Sequence, residues 1–215
     1  MNEDPFSSSA EARLSSFFGW IKSNLISIAT IFVLIVGSFF VYLYFQNKKE
    51  EELSEAFDAY QNILQSFNDS GSTLENFTKQ IDSKKASIEK TVYETVADLL
   101  IAKKAFDESN LELAKEKLTK ILSTSDKSNN PLHDIALIRL GYILIQERNF
   151  EEAKKNLASK LDFYEPKRLE LLGDIASFEE SFTVANTYYE QAIKATEDQG
   201  FIELMNIKLS LLPSS

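Results

Sequence analysis

Side chains able to do chemistry are few and scattered. The chain has one histidine, His133, and no cysteine. His133 falls at the predicted start of a helix beside Asp134, where surface helices often place polar residues, and it reads as structural or solvated rather than as a ligand. A metal centre would need further nitrogen or sulfur ligands, or a cage of clustered oxygens. Without cysteine there are no disulfides, no thiolate-bound zinc, no iron–sulfur cluster and no thiol nucleophile. Glu50, Glu51 and Glu52, and again Glu179 and Glu180, read as solvated helix faces. Ser7, Ser8 and Ser9 read as a short flexible tail, and no glycine-rich phosphate loop is present. The reading is therefore of a protein that is not an enzyme, with no cofactor, no metal and no small-molecule substrate. Its 23 basic and 33 acidic residues give a net charge of -10 over 215 residues. Net acidity without a basic block argues against nucleic acid as a partner.

What remains is binding, and the elements that would position it begin with an apolar segment. No charged residue occurs between Lys22 and Lys48, and Leu25 to Phe45 is almost wholly apolar. As a helix that stretch would extend roughly 31 Å, about the thickness of a bilayer core. Trp20 at one end and Tyr42 and Tyr44 at the other suit the membrane interface. A cleavable signal would carry a shorter apolar run ending in small residues; this run is longer and ends in aromatic ones. We therefore expect a transmembrane helix over 23–47 and the lipid bilayer as a partner. Arg13 and Lys22 precede the span and Lys48 and Lys49 follow it, so the charge count does not set orientation. Within 1–22, Leu14, Phe17, Phe18 and Ile21 form a helical stripe. It would lie along the membrane surface or simply extend the membrane helix.

The remaining chain carries most of the acidity and reads as helix throughout. Leu53, Ala56, Phe57, Tyr60, Ile63, Leu64 and Phe67 recur at helical spacing, followed by a turn at 68–73 and a weaker helix marked by Leu74, Phe77, Ile81 and Ile88. These make up a connecting region, 48–92. From 93 to 215 a pattern repeats over the windows 93–122, 132–161 and 167–195. A small residue (Ala102, Gly141, Gly173) is followed twelve positions later by alanine (Ala114, Ala153, Ala185). Three residues before each alanine stands Leu111, Phe150 or Phe182; four after it stands Leu118, Leu157 or Tyr189. Small residues let helix backbones approach, and the large ones fill the gap between stacked pairs. One pair cannot bury its own apolar face, so the pairs must stack. Turns are expected at 107–110, 146–149 and 178–181. Asn130 followed by Pro131 reads as a helix start, as does Pro166. A last helix over 201–212 would cap the stack.

This pattern resembles the tetratricopeptide repeat, with a period of about 34 residues; Asp98 stands where that family prefers a large apolar side chain. The fold class expected is all-α: a single N-terminal transmembrane helix followed by a tetratricopeptide-like helical-repeat (α-solenoid) domain. In the register of those repeats the groove-facing positions are Leu99 and Phe106 in the first repeat and Ile135, Ile138, Tyr142 and Ile145 in the second. Lys167, Glu170 and Asp174 follow in the third. The groove would be apolar in its middle and charged at one end, suited to an apolar or extended peptide, unless the C-terminal helix or the 53–67 helix covers it. The lysine and asparagine pattern of a carboxylate clamp is absent, so a partner's chain end is not the expected ligand.

A more specific resemblance lies in three segments: ARLSSFF over 12–18 just before the span; YETVADLLIA over 93–102 with Phe106, Asp107 and LELA over 111–114; and LMNIKL over 204–209. Together they resemble the YfgM family of bacterial inner-membrane proteins, ancillary subunits of the SecYEG translocon with a periplasmic tetratricopeptide-like domain. The resemblance implies an inner-membrane protein with a cytoplasmic N-terminus and a periplasmic repeat domain. Its partners would be Sec translocon subunits and a periplasmic chaperone or emerging chains. The alternative is an envelope assembly factor of similar build with no tie to the translocon.

Overall fold

The computed structural model describes residues 14–213, apart from 16, 21 and 70. Among these residues there is helix and no strand. The chain divides into two units, residues 1–54 and 55–215.

In the first unit Leu14, Ser15 and residues 17–20 are helical, and Asn24 forms a turn with its backbone N–H and its amide both donating to the Trp20 carbonyl. Leu14, Phe17 and Phe18 are exposed; Ile21, the fourth member of the expected stripe, lies outside the described residues, as does the tail over 1–13. From Leu25 a single helix, α1 (Leu25–Asn68), begins. It is long and apolar enough to cross a membrane, by length and composition. Phe32, Ile35, Phe39, Phe40, Tyr44 and Phe45 are each more than half exposed, a surface that water disfavours and lipid does not. Two described hydroxyls of the segment turn back on their own helix. Thr30 Oγ1 donates to the Ile26 carbonyl (2.8 Å) and Ser38 Oγ to that of Ile35 (2.9 Å), which removes the cost of placing a bare hydroxyl in hydrocarbon.

The second unit begins with the end of α1, where Ala56, Ala59 and Ile63 are buried while Phe57 stays exposed. The following helices are α2 (Leu74–Ile88), α3 (Val92–Asp107), α4 (Leu111–Thr124), α5 (Pro131–Gln146), α6 (Phe150–Asn156), α7 (Glu165–Phe178), α8 (Phe182–Lys194) and α9 (Gln199–Leu211). Starts are set by side-chain oxygens that take up the free N–H groups of a first turn. Thr73, Thr91, Asn110, Asn130 and Asp198 all do this, and Pro131 follows Asn130 as the sequence suggests. Three apolar clusters run along the stack. One joins α1, α2 and α3 around Phe77; the largest joins α3 to α7 around Leu118, Ile143 and Leu171; the third joins α7, α8 and α9 around Ala185 and Met205.

The three helix pairs α3/α4, α5/α6 and α7/α8 are joined by one device used three times. Ser109, Arg148 and Glu180 adopt left-handed backbone angles, with φ of 61°, 59° and 60°. In each joint the residue after it donates its N–H five positions back: Asn110 to Ala105 (2.7 Å), Asn149 to Leu144 (2.8 Å) and Ser181 to Ala176 (2.8 Å). This is the Schellman ending, and it satisfies carbonyls that a helix terminus would otherwise leave free. The same Asn110, Asn149 or Ser181 is the residue from which the next helix starts.

Packing follows the repeated small and large residues. Ala114, Ala153 and Ala185 are fully buried, and Leu118, Leu157 and Tyr189 are buried beside them. A methyl group on Gly141 would meet Leu171 Cδ1 at 3.1 Å; one on Gly173 would meet the Tyr189 ring at 2.5 Å. The second pair departs from the pattern. Its second helix stops at Asn156 although the repeat window extends to Leu161. An irregular link over 157–164 follows, and side chains take over the role of helical hydrogen bonds. Asp134 Oδ2 accepts from the N–H groups of Asp162 and Phe163 (both 3.0 Å), Glu165 Oε2 accepts from that of Leu161 (2.9 Å), and Arg168 Nη1 donates to the Leu157 carbonyl (2.8 Å).

Candidate interaction groove

Helices α3, α5 and α7 share a concave face that opens into a cavity of about 620 Å³. Phe106 from α3, Tyr142 and Ile145 from α5, and Phe178 at the end of α7 supply its apolar wall. Phe106 is 40% exposed, Tyr142 37% and Phe178 56%, so these rings are offered to solvent rather than spent on the core. Phe178 also stacks on Phe150, with centroids 5.7 Å apart. That contact fixes one ring edge of the wall.

The groove positions read from sequence therefore separate into two sets. Phe106, Tyr142 and Ile145 line the cavity. Leu99 and Ile138 do not; each is 5% exposed and belongs to the main core. This corrects their assignment as groove-facing residues. The helical stripe that emerges at Phe106 and Tyr142 sinks beneath neighbouring helices part-way along α3 and α5. Ile135 is half-buried against the same core and is not part of the wall.

Phe178 and Arg139 are among the contributors missed from sequence. Arg139 stands alone among apolar neighbours on α5, in LIRLGYILI, and that isolation was its available signal. Its Nη1 donates to the Leu99 carbonyl (2.9 Å). Burial holds its pKa below the usual arginine range, against the opposing pull of Tyr164 and Asp107.

The charged end of the groove is largely closed upon itself. Glu170 is 3% exposed and pairs with Lys167 (2.6 Å) and with Lys208 of α9 (2.8 Å). Asp174 takes Lys208 at 2.6 Å and the Tyr189 hydroxyl at 2.7 Å. Burial lowers the Lys167 pKa, but hydrogen bonding to Glu170 and Tyr142 more than offsets this and raises it overall. Burial, then the hydrogen bond to Asp174, drives the Tyr189 phenol strongly upward. Helix α9 thus covers Glu170 and Asp174, while no α9 residue lines the cavity over Phe106, Tyr142 and Ile145.

Two polar residues singled out from sequence have structural settings. His133 is not solvated: it is 5% exposed, and Asp134 is 2% exposed. The reason is the shortened α6, which brings the 157–164 link over the start of α5 so that Asp134 can hold it. Asp98, the misfit in the repeat pattern, is 7% exposed and takes Lys120 Nζ at 2.7 Å. Lys120 also reaches Glu94 (2.9 Å), whose other oxygen accepts from the Lys90 N–H. A cation from α4 therefore stands where the family would place apolar contact. Among the described residues no group of three His, Asp or Glu side chains is placed to hold a metal ion.

Comparison with known proteins agrees with this architecture. The chain is similar to the ancillary SecYEG translocon subunit of Haemophilus influenzae, 26% identical over 195 residues, which cover 87% of this chain and 90% of that protein. That relative carries the description implied by the three segments read from sequence. No solved structure matches the chain. The model of the tetratricopeptide repeat-like domain family matches residues 19–214. With its three Schellman-joined helix pairs and a family match over nearly its whole length, the chain belongs to the tetratricopeptide repeat-like domain family.

Proposed function

We propose that this protein is a membrane-anchored interaction scaffold ancillary to the Sec protein-export channel. The observation that carries the reading is the likeness to the Haemophilus influenzae translocon subunit over most of both chains. The apolar stretch of α1 supports it, being suited to lipid. The open wall of Phe106, Tyr142 and Ile145 supports it too, because solvent-facing aromatic patches mark contact surfaces. In this reading the N-terminus is cytoplasmic and the repeat domain periplasmic. The groove receives an apolar or extended segment of a periplasmic chaperone or of an emerging chain. The role is non-catalytic: anchoring raises the local concentration of a partner at the channel without requiring tight intrinsic affinity.

Pulldown of the intact protein after mild detergent solubilisation tests the reading. Channel subunits are expected in the eluate; recovery of unrelated envelope proteins alone would overturn it. Replacing residues 25–45 with an unrelated apolar helix should abolish recovery of the channel while leaving groove binding intact. An envelope assembly factor independent of the channel would keep all its partners after that exchange.

A further inference from the structure

Among the described residues Arg139 is the one charged side chain lining the groove that makes no ion pair, although Tyr164 and Asp107 act on it from further away. It is half-buried on α5 and lines the cavity. A guanidinium has five N–H donors, and a single hydrogen bond, to the Leu99 carbonyl, engages them here. Among the described residues no carboxylate stands within 4 Å of it. The two carboxylates that line the same cavity are committed elsewhere. Asp107 pairs with Lys103 at 2.8 Å, and Asp174 with Lys208 and Tyr189. The four charges that line the cavity, Lys103, Asp107, Arg139 and Asp174, sum to zero, but both carboxylates are already engaged by lysines. The uncommitted charge facing the cavity is one positive unit, surrounded by Phe106, Tyr142, Ile145 and Phe178. Burial disfavours that charge when it stands alone, and a carboxylate brought to it would supply the missing partner in a planar, two-pronged geometry.

We propose that the groove recognises a peptide segment with apolar side chains and one internal acidic side chain, whose carboxylate is received by Arg139. This rests on the groove-binding part of the function proposed above and adds the chemical class of the ligand. An internal side chain is favoured over a chain end because the cavity lacks the lysine and asparagine pattern of a carboxylate clamp: no asparagine lines it and its one lysine, Lys103, is paired with Asp107. In the protein as an acidic whole, with a net charge of -10, this spot selects a negative group that the rest of the surface repels. Long-range attraction therefore does not explain such binding, and a local contact is required.

The test uses the full-length protein in mild detergent and fluorescence anisotropy with end-blocked, labelled pentapeptides. LFDLF carries the internal acid, LFNLF its neutral counterpart, and LFNLF with a free carboxyl end carries the charge at the terminus instead. LFDLF is expected to bind about 10-fold or more tightly than LFNLF, as for a charge-assisted hydrogen-bonded pair. Arg139→Met should bring the two to equal affinity. Arg139→Lys, which keeps the charge, should restore part of the difference. Equal binding of LFDLF and LFNLF to the unaltered protein would overturn the proposal while leaving groove binding intact. Preference for the free-ended LFNLF over LFDLF would overturn the internal source. Failure of every peptide to bind up to millimolar concentration would overturn the groove reading itself, and the carboxylate inference with it.

Discussion

At the scale of single residues, two glycines in equivalent repeat positions should respond differently to the same change. The Tyr189 ring stands 2.5 Å from where a Cβ on Gly173 would lie, and its hydroxyl is tied to Asp174. The ring cannot withdraw without breaking that bond. Gly173→Ala is therefore expected to destabilise the protein by about 1–3 kcal/mol, the usual cost of overpacking. At Gly141 the neighbours are aliphatic methyl groups at 3.1 Å and beyond, which can give by a few tenths of an ångström. The gain in helix propensity, up to about 1 kcal/mol, then leaves Gly141→Ala near neutral. Thermal unfolding of the two variants side by side checks this, and an equal loss in both would contradict the packing described. Asp134 gives a second case. Its carboxylate holds two backbone N–H groups of the 157–164 link, so Asp134→Ala should cost about 1–3 kcal/mol through the loss of two part-buried, charge-assisted hydrogen bonds. Faster hydrogen exchange confined first to that link is the accompanying sign. Sequence periodicity placed both glycines correctly. It could not place Asp134 or its neighbour His133, because their burial depends on a link brought from 28 residues away. Leu99 and Ile138 were misread for a related reason. A helix packed on several sides carries apolar residues all round, and its period does not say which ones stay open.

At the scale of elements, the joints within the pairs carry the clearest consequence. Ser109, Arg148 and Glu180 each hold a left-handed conformation that side chains other than glycine and asparagine disfavour. No glycine marks these positions, so the sequence located the turns without revealing their geometry. The backbone hydrogen bonds on either side impose it. Replacing Glu180, whose exposed side chain makes no hydrogen bond or ion pair among the described residues, by glycine should relieve strain of about 1–2 kcal/mol against a smaller entropic loss. Glu180→Gly is thus expected to leave stability unchanged or raise it by up to about 1 kcal/mol, a rise of a few degrees in Tm. A clear fall in Tm would count against the Schellman geometry. Helix starts, in contrast, were readable from Asn130–Pro131 because a cap acts through the side chain that the sequence names.

At the scale of the whole molecule, stability should hold over a wide pH range and fail at both ends. Hydrogen bonding to the Lys90 N–H, then to Lys120, holds the Glu94 carboxyl below its ordinary value. Glu165 is also depressed: burial works in the opposite direction, but Arg168 and the Leu161 N–H outweigh it. A depressed carboxylate contributes fully above its unfolded pKa of about 4.3 and loses that contribution as pH falls through the lower folded value. Lys120 is raised overall, its pairing with Asp98 and Glu94 exceeding the effect of burial. Its share is present below about pH 10.4 and is lost as pH rises through the higher folded value. Unfolding midpoints measured from pH 3 to 11 should show a plateau with two falling limbs. Glu165→Gln should soften the acid limb; an unaltered limb would remove Glu165 from this account. The anchor is tested at the same scale. A cysteine at Ser7, ahead of the described residues, and one at Ser128 in the 125–130 link should label from opposite faces of the membrane, the second from the periplasm. Labelling of both from one face would contradict a single crossing.

The hairpin joints leave no spare length. One residue closes a helix and the next opens another, so a single added amino acid would rotate everything downstream by about 100° and turn buried faces outward. Variation in this architecture has to collect outside the joints, as it does in the shortened α6, which underlies the unequal 39- and 32-residue spacings of Ala102, Gly141 and Gly173. The segment around Asp126 to Ser128 is therefore the natural place to thread an epitope tag or reporter, and the joints are where such cargo would ruin the protein.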